Sequence, residues 1–254
     1  MSDQYASYPS LINKTVFVTG GASGIGGEIV KVFDKQGARV GILDVNQAAG
    51  DALLGTLEHK ENHALVQCDL RDLDALQQGI STLTEALGHA HVLVNNAARD
   101  DRHDWRTVTG DYWDERMQTN LRHMFFAIQA TAPGMIEMGG GSIINMGSNS
   151  WWEAGGGFPC YATAKAAVHG LTRTMARDLG EHRIRVNAVV PGWIMTQRQK
   201  ELWVTDESIE KHRQRQCLPD LINPEHVANM VAFLASDDAR MCTASNFMVD
   251  AGSI

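Results

Sequence analysis

Seven short apolar runs alternating with amphipathic stretches predict an α/β fold, a doubly wound parallel seven-stranded sheet with helices on both faces. Two further observations point the same way. A glycine-rich turn, Gly20-Gly21-Ala22-Ser23-Gly24-Ile25-Gly26, joins the first apolar run to the first amphipathic one. No linker, repeat or low-complexity segment interrupts the 254 residues, so 1–254 reads as one domain.

Thr15 to Thr19 reads as a buried strand, and Gly24 to Gln36 as a helix ended by Gly37. Arg39 to Leu43 gives the second strand, Asn46 to Glu58 a helix, and His63 to Gln67 the third strand. Asp72 to Leu87 is helical and His91 to Val94 is the fourth strand. Asp111 to Met138 reads as one long helix with a bend at Pro133. Ser142 to Met146 is strand five, Tyr161 to Glu181 a helix and Ile184 to Val190 strand six. Asn223 to Ala235 forms the last helix and Asn246 to Val249 the last strand. The long connection from Gly192 to Pro219, with its Trp193, Leu202 and Trp203, has the length of a lid or binding loop.

The chain is 44% hydrophobic and 20% charged, enough apolar content for a substantial core. A net charge of −8 gives no electrostatic footprint for nucleic acid or an anionic membrane. Cys68, Cys160, Cys217 and Cys242 are far apart, and the ten histidines show no ligand spacing, so no metal is expected. With no leader pattern and no apolar run of membrane-spanning length, a cytoplasmic setting is expected.

The glycine turn lies between the first strand and first helix, where a dinucleotide-binding Rossmann motif requires it. Gly20, Gly24 and Gly26 permit the tight turn and close backbone approach to a phosphate, while the helix N-terminus beyond Ser23 and Ile25 offers N–H groups to a pyrophosphate. Asp44, ending the second strand, suits the adenosine ribose hydroxyls and repels a 2′-phosphate. That favours NAD over NADP, and the competing reading of Asp44 is a helix cap. Asp69, beside Leu70 at the end of strand three, suits either the adenine amino group or a cap of the next helix.

Tyr161 and Lys165 stand four residues apart and so share one helix face. A fixed ammonium near a phenol favours the phenolate, which makes the pair a candidate proton-transfer device near neutral pH. The segments after strands four and five carry Arg99-Asp100-Asp101-Arg102-His103 and Asn149-Ser150-Trp151-Trp152-Glu153. Both leave strand C-terminal ends, where open α/β sheets bind ligands. Asp100, His103, Asn149, Trp151, Trp152 and Trp193 are therefore candidate contacts for a polyhydroxylated ring. The first segment also reads as a solvated, self-paired loop, and the two indoles as subunit-interface residues.

Taken together, the glycine turn, Asn95-Asn96-Ala97-Ala98, Asn120, Ser148, Tyr161 with Lys165, and Pro191-Gly192 followed by Thr196 resemble the short-chain dehydrogenase/reductase family across nearly the whole chain. Ala98 stands where that family usually has glycine. The resemblance implies that Tyr161 removes the substrate hydroxyl proton and that Lys165 lowers the tyrosine pKa and binds the nicotinamide ribose. It implies that Ser148 bonds the reacting oxygen and that Asn120 holds a water linking Lys165 to solvent, the alternative for Asn120 being a tie to its own helix backbone. It places Asn96, Ala97, Ala98, Pro191, Gly192, Ile194 and Thr196 against the cofactor.

Further segments resemble the bacterial aldose 1-dehydrogenases of this family: Tyr8-Pro9-Ser10-Leu11, Asp100 to His103, Tyr112 to Arg116, Asn120 to His123, Gln216-Cys217-Leu218 and Ala235 to Asp238. That group oxidises a sugar at C1 to a lactone with NAD. The C-terminus Asp250 to Ile254 lacks a terminal tryptophan, and the loop Trp151 to Phe158 differs, so xylose, arabinose, galactose, fucose and rhamnose all stay open. The runner-up is a reductase or dehydrogenase of another alcohol or ketone, such as a 3-oxoacyl reductase, against which Asp44 and the acidic charge argue. The resemblance also implies a homotetramer.

Overall fold

The computed structural model describes residues 5–253. Met1 to Gln4 and Ile254, the position without the expected tryptophan, lie outside the described residues. Seven strands form one sheet in the order β3-β2-β1-β4-β5-β6-β7, every pair parallel. They are β1 (Thr15–Thr19), β2 (Arg39–Asp44), β3 (Ala64–Gln67), β4 (Val92–Asn95), β5 (Gly141–Met146), β6 (Ile184–Pro191) and β7 (Asn246–Val249). The order reverses between β1 and β4, the crevice where open sheets of this kind bind nucleotides.

Side-chain alternation along β1 divides the core in two. Val16 and Val18 point to the layer made with α1 (Gly24–Lys35), α2 (Gln47–Leu54) and α9 (Pro224–Ala235). Phe17 points to the layer made with α3 (Leu73–Leu87), α5 (His123–Glu137) and α6 (Pro159–Leu179). Each such fully buried side chain contributes about 1.5–3 kcal/mol. Among the described residues no helix is long and apolar enough to cross a membrane.

The helix expected from Asp111 to Met138 runs unbroken from Gly110 to Glu137 but contains a π-helical turn. Helix α4 (Gly110–Met117) passes through a π-helical turn at Gln118–Arg122 into α5, which continues through Pro133. The cause lies at Asn120, whose Nδ2 donates to the Arg116 carbonyl at 2.9 Å while its Oδ1 accepts the Arg99 N–H at 2.8 Å. A side chain competing for a helix carbonyl widens the local turn. The stretch expected as an unpatterned connection, Gly192 to Pro219, carries two short helices, α7 (Gln197–Leu202) and α8 (Asp206–Arg213). Thr196 caps the first through Gln199 N, and Thr205 caps the second through Ser208 N.

Candidate active site

The C-terminal ends of β1, β2, β4, β5 and β6 open onto one cavity of about 750 Å³. Every residue expected to hold a cofactor lines it, from Gly20, Ser23, Gly24, Ile25 and Gly26 through Asp44, Asp69 and Leu70 to Asn96, Ala97, Ala98, Pro191, Gly192, Ile194 and Thr196. Tyr161, Lys165 and Ser148 line its other end.

The glycine turn is fitted tightly to β4. Gly20 has φ of +63°, and a Cβ on Gly26 would sit 2.0 Å from the Gly20 carbonyl oxygen. Only glycine permits this packing of α1 against the turn. Asn96 acts as a clip rather than a free cofactor donor: its Nδ2 donates to the Thr19 and Gly20 carbonyls at 3.1 and 2.9 Å. No side chain caps the N-terminus of α1, which leaves its N–H groups for an anion in the cavity.

Asp44 accepts the Ala22 N–H on Oδ2 and the Asn46 N–H on Oδ1, both at 2.9 Å. It is not the helix cap; Asn46 caps α2 by accepting Ala49 N–H. Asp69 likewise leaves capping to Asp72, which receives the N–H groups of Asp74 and Ala75. Asp69 instead pairs with Arg71 at 2.6 Å, and this hydrogen bonding holds its carboxyl below the usual range. These features fit a dinucleotide with its adenosine end at Asp44 and its nicotinamide end at Tyr161.

Helix α6 starts at Pro159, two residues ahead of the expected start, because proline suits the first helical position. It presents Tyr161 and Lys165 to the cavity. Ser148 Oγ donates to Ser150 Oγ at 3.0 Å, and Lys165 Nζ donates to the Met146 carbonyl at 2.7 Å. The electrostatics run opposite to the expected acidified phenol in the protein by itself. Burial pushes Tyr161 up to about 12 and the Asp100 carboxylate adds to it, while Ser148 and Arg102 oppose. Burial also pulls Lys165 down to about 7, with Asp100 opposing. Desolvation disfavours both charged forms at once, and Lys165 Nζ, engaged by the Met146 carbonyl, stands 5.7 Å from the phenol ring centroid. Asn120 is buried behind this group and does not line the cavity; its side chain makes the backbone ties described above.

The expected substrate contacts divide. Asp100, Asn149 and Trp193 line the cavity with Ser148 and Tyr161. Trp151, Trp152 and His103 do not. Trp151 turns outward to donate to His169 Nε2 at 2.9 Å and packs edge-on against Trp152. His103 pairs with Tyr112 Oη at 3.1 Å and accepts Cys160 N–H at the start of α6. It therefore braces that helix from outside the cavity. Arg102 and Glu153, which the sequence places in the two candidate segments, also line the cavity, and sequence reasoning missed Phe158, Arg198, Gln199 and His212, which line it too. Arg198 joins Asp100 and Asp101 at 2.8 and 2.6 Å, and Gln199 donates to Asp100 at 2.7 Å, so α7 is tied to the segment after β4. Glu153 accepts from Asn149 and from Ser253 near the C-terminus.

Residues 20–253 match a family profile described as enoyl-(acyl carrier protein) reductase. The chain is 47% identical over 248 residues to the D-xylose 1-dehydrogenase of Caulobacter vibrioides strain NA1000 / CB15N, covering 97% of this chain and 98% of that one. It is 42% identical over 249 residues to a protein of Rhizobium meliloti strain 1021 described as a probable galactose dehydrogenase, covering 97% of each. A solved short-chain type dehydrogenase/reductase from Mycobacterium ulcerans superposes with a TM-score of 0.90 at 27% identity, covering 96% of this chain and 90% of that one. With a Rossmann-like sheet of seven parallel strands, a cavity fitted to a nicotinamide dinucleotide and full-length dehydrogenase relatives, the chain belongs to the short-chain dehydrogenase/reductase family of oxidoreductases.

Proposed function

We propose that this protein oxidises an aldose at C1 to the lactone, with NAD as hydride acceptor and Tyr161 as general base. The observation that carries this reading is the single cavity that brings Asp44 to one end and Tyr161, Ser148 and Lys165 to the other. The two relatives described as sugar dehydrogenases support the substrate class.

Tyr161 Oη takes the proton of the C1 hydroxyl, and Ser148 Oγ, which also accepts the Ser150 N–H at 3.2 Å, holds that oxygen in place. The bound nicotinamide supplies the hydride acceptor and, in its oxidised form, a positive charge. Lys165 contributes a second positive charge beneath the phenol, and the two charges act against the desolvation that holds Tyr161 protonated. The segment 192–219 serves as the lid, held by Arg198 and Gln199. Asn120 fixes the π turn beside Lys165, and through it the path of a water to the lysine. Exposed Trp113 and Phe125, on α4 and α5, favour assembly into a homotetramer through these helices and α6.

The test is a panel of pentoses, hexoses and deoxyhexoses with NAD, read by NADH absorbance, with the lactone identified by NMR. Loss of the whole panel would overturn the reading. Asp44→Ala is expected to raise the KM for NAD by about 10- to 100-fold, the worth of hydrogen bonds to a charged group. Its kcat at saturating NAD should be little changed, and the preference over NADP should shrink. A wild-type preference for NADPH would instead support the acyl-carrier reductase reading suggested by the family profile's description.

A further inference from the structure

Arg102 is the cation at the substrate end of the cavity whose donors the fold leaves unused. Arg198, beside it, spends its fork on Asp100 and Asp101. Arg102 has its guanidinium carbon 3.9 Å from the Phe158 ring centroid and 5.5 Å from that of Trp203, next to the lid helix. Among the described residues no carboxylate, hydroxyl or carbonyl accepts a hydrogen bond from it. Stacking on an aromatic face holds a guanidinium flat and leaves its N–H edge directed outward. That planar edge matches two neighbouring oxygens.

Phe158 is also the ring that packs edge-on against Tyr161, with centroids 6.0 Å apart. One aromatic ring therefore packs against both Arg102 and Tyr161. The charges nearby are nearly balanced. Asp100 is matched by Arg198, and Glu153 has Arg215 at 3.7 Å, so neither carboxylate takes up the Arg102 donors.

We propose that Arg102 is a specificity-determining residue that donates a paired hydrogen bond to two adjacent hydroxyls on the sugar, on the side of the ring away from C1. This rests on the aldose reading above and adds which part of the substrate is recognised and by what. Phe158 supplies the apolar face beneath the same region of the ring. The arrangement ties recognition to the lid, because the Trp203 ring, at the end of α7, is 5.5 Å from the same guanidinium carbon.

The experiment compares wild type, Arg102→Met and Arg102→Lys on the best aldose of the panel and on its monodeoxy analogues at C3 and C4. Arg102→Met puts an uncharged, unbranched side chain beside Phe158 in place of the guanidinium and is expected to raise the KM for the sugar by about 10- to 100-fold. Its KM for NAD should stay at the wild-type value. Arg102→Lys, a point charge without the fork, should recover only part of the loss. Wild type should discriminate against one or both deoxy analogues, and Arg102→Met should lose that discrimination. If wild type oxidises an aldose and Arg102→Met keeps both its KM and its discrimination, this assignment is wrong while the aldose reading stands. If wild type oxidises no aldose, both are wrong.

Discussion

Turnover of a Tyr161→Phe variant is expected to fall by about 10²–10⁴-fold, the usual contribution of a positioned proton acceptor. Phenylalanine keeps the ring that packs against Phe158 and removes only the hydroxyl. The fold should therefore survive, and so should NADH binding, measured by titrating its fluorescence. The pH profile gives an independent reading of the same step. The base must lose its proton to act, so kcat/KM for the sugar at saturating NAD should rise with pH. In the protein alone, burial and Asp100 hold that phenol at about 12. An apparent pKa well below 12 in the wild type would report the charges of the nicotinamide and Lys165 acting on it. Retained turnover in Tyr161→Phe would remove the tyrosine from the mechanism.

How much of this was readable beforehand depended on how local each signal is. The glycine turn, Asp44 and the Tyr161–Lys165 spacing are set by strand ends and one helix face, and all of them reach the cavity as the periodicity implies. The π turn at Asn120 was hidden, because apolar spacing runs unbroken from Asp111 to Met138. What widens the turn is the Asn120 side chain, held between the Arg116 carbonyl and the N–H of Arg99 on the segment after β4. The indoles of Trp151 and Trp152 follow a strand end as ligand-binding residues often do. Their direction is set by His169 on α6, a partner that no local pattern reveals. The ties between Asp100 and both Arg198 and Gln199 span nearly a hundred residues and appear only once the lid helix has a place in the fold. The shifts at Tyr161 and Lys165 in the protein alone were hidden for a related reason. Spacing reports that two groups are close, while burial, which the sequence does not quantify, decides which charged forms survive.

Lys165→Met is expected to abolish most turnover and, in the same molecule, to raise the thermal stability of the free protein. Lys165 is 1% exposed, and its pKa falls from 10.5 in its ordinary state to about 7 in the fold. A folded-state pKa below the unfolded one means that the fold disfavours the ammonium. The resulting destabilisation is fully present below pH 7, where both states are protonated. It is relieved as pH rises from 7 towards 10.5, where the unfolded chain binds more protons than the folded one. The size is about 3–5 kcal/mol below pH 7. Methionine fills a similar volume without a charge, and the lost hydrogen bond to the Met146 carbonyl costs about 1 kcal/mol. At about 2–4 °C per kcal/mol for a chain of this size, the variant should melt several degrees above the wild type at pH 6. That advantage should shrink steadily on going to pH 10. Equal or lower melting of the variant at pH 6 would show that the buried ammonium is not a cost to the fold. The predicted combination, a more stable protein with little activity, is what a charge kept in a desolvated site for chemistry rather than for folding should produce.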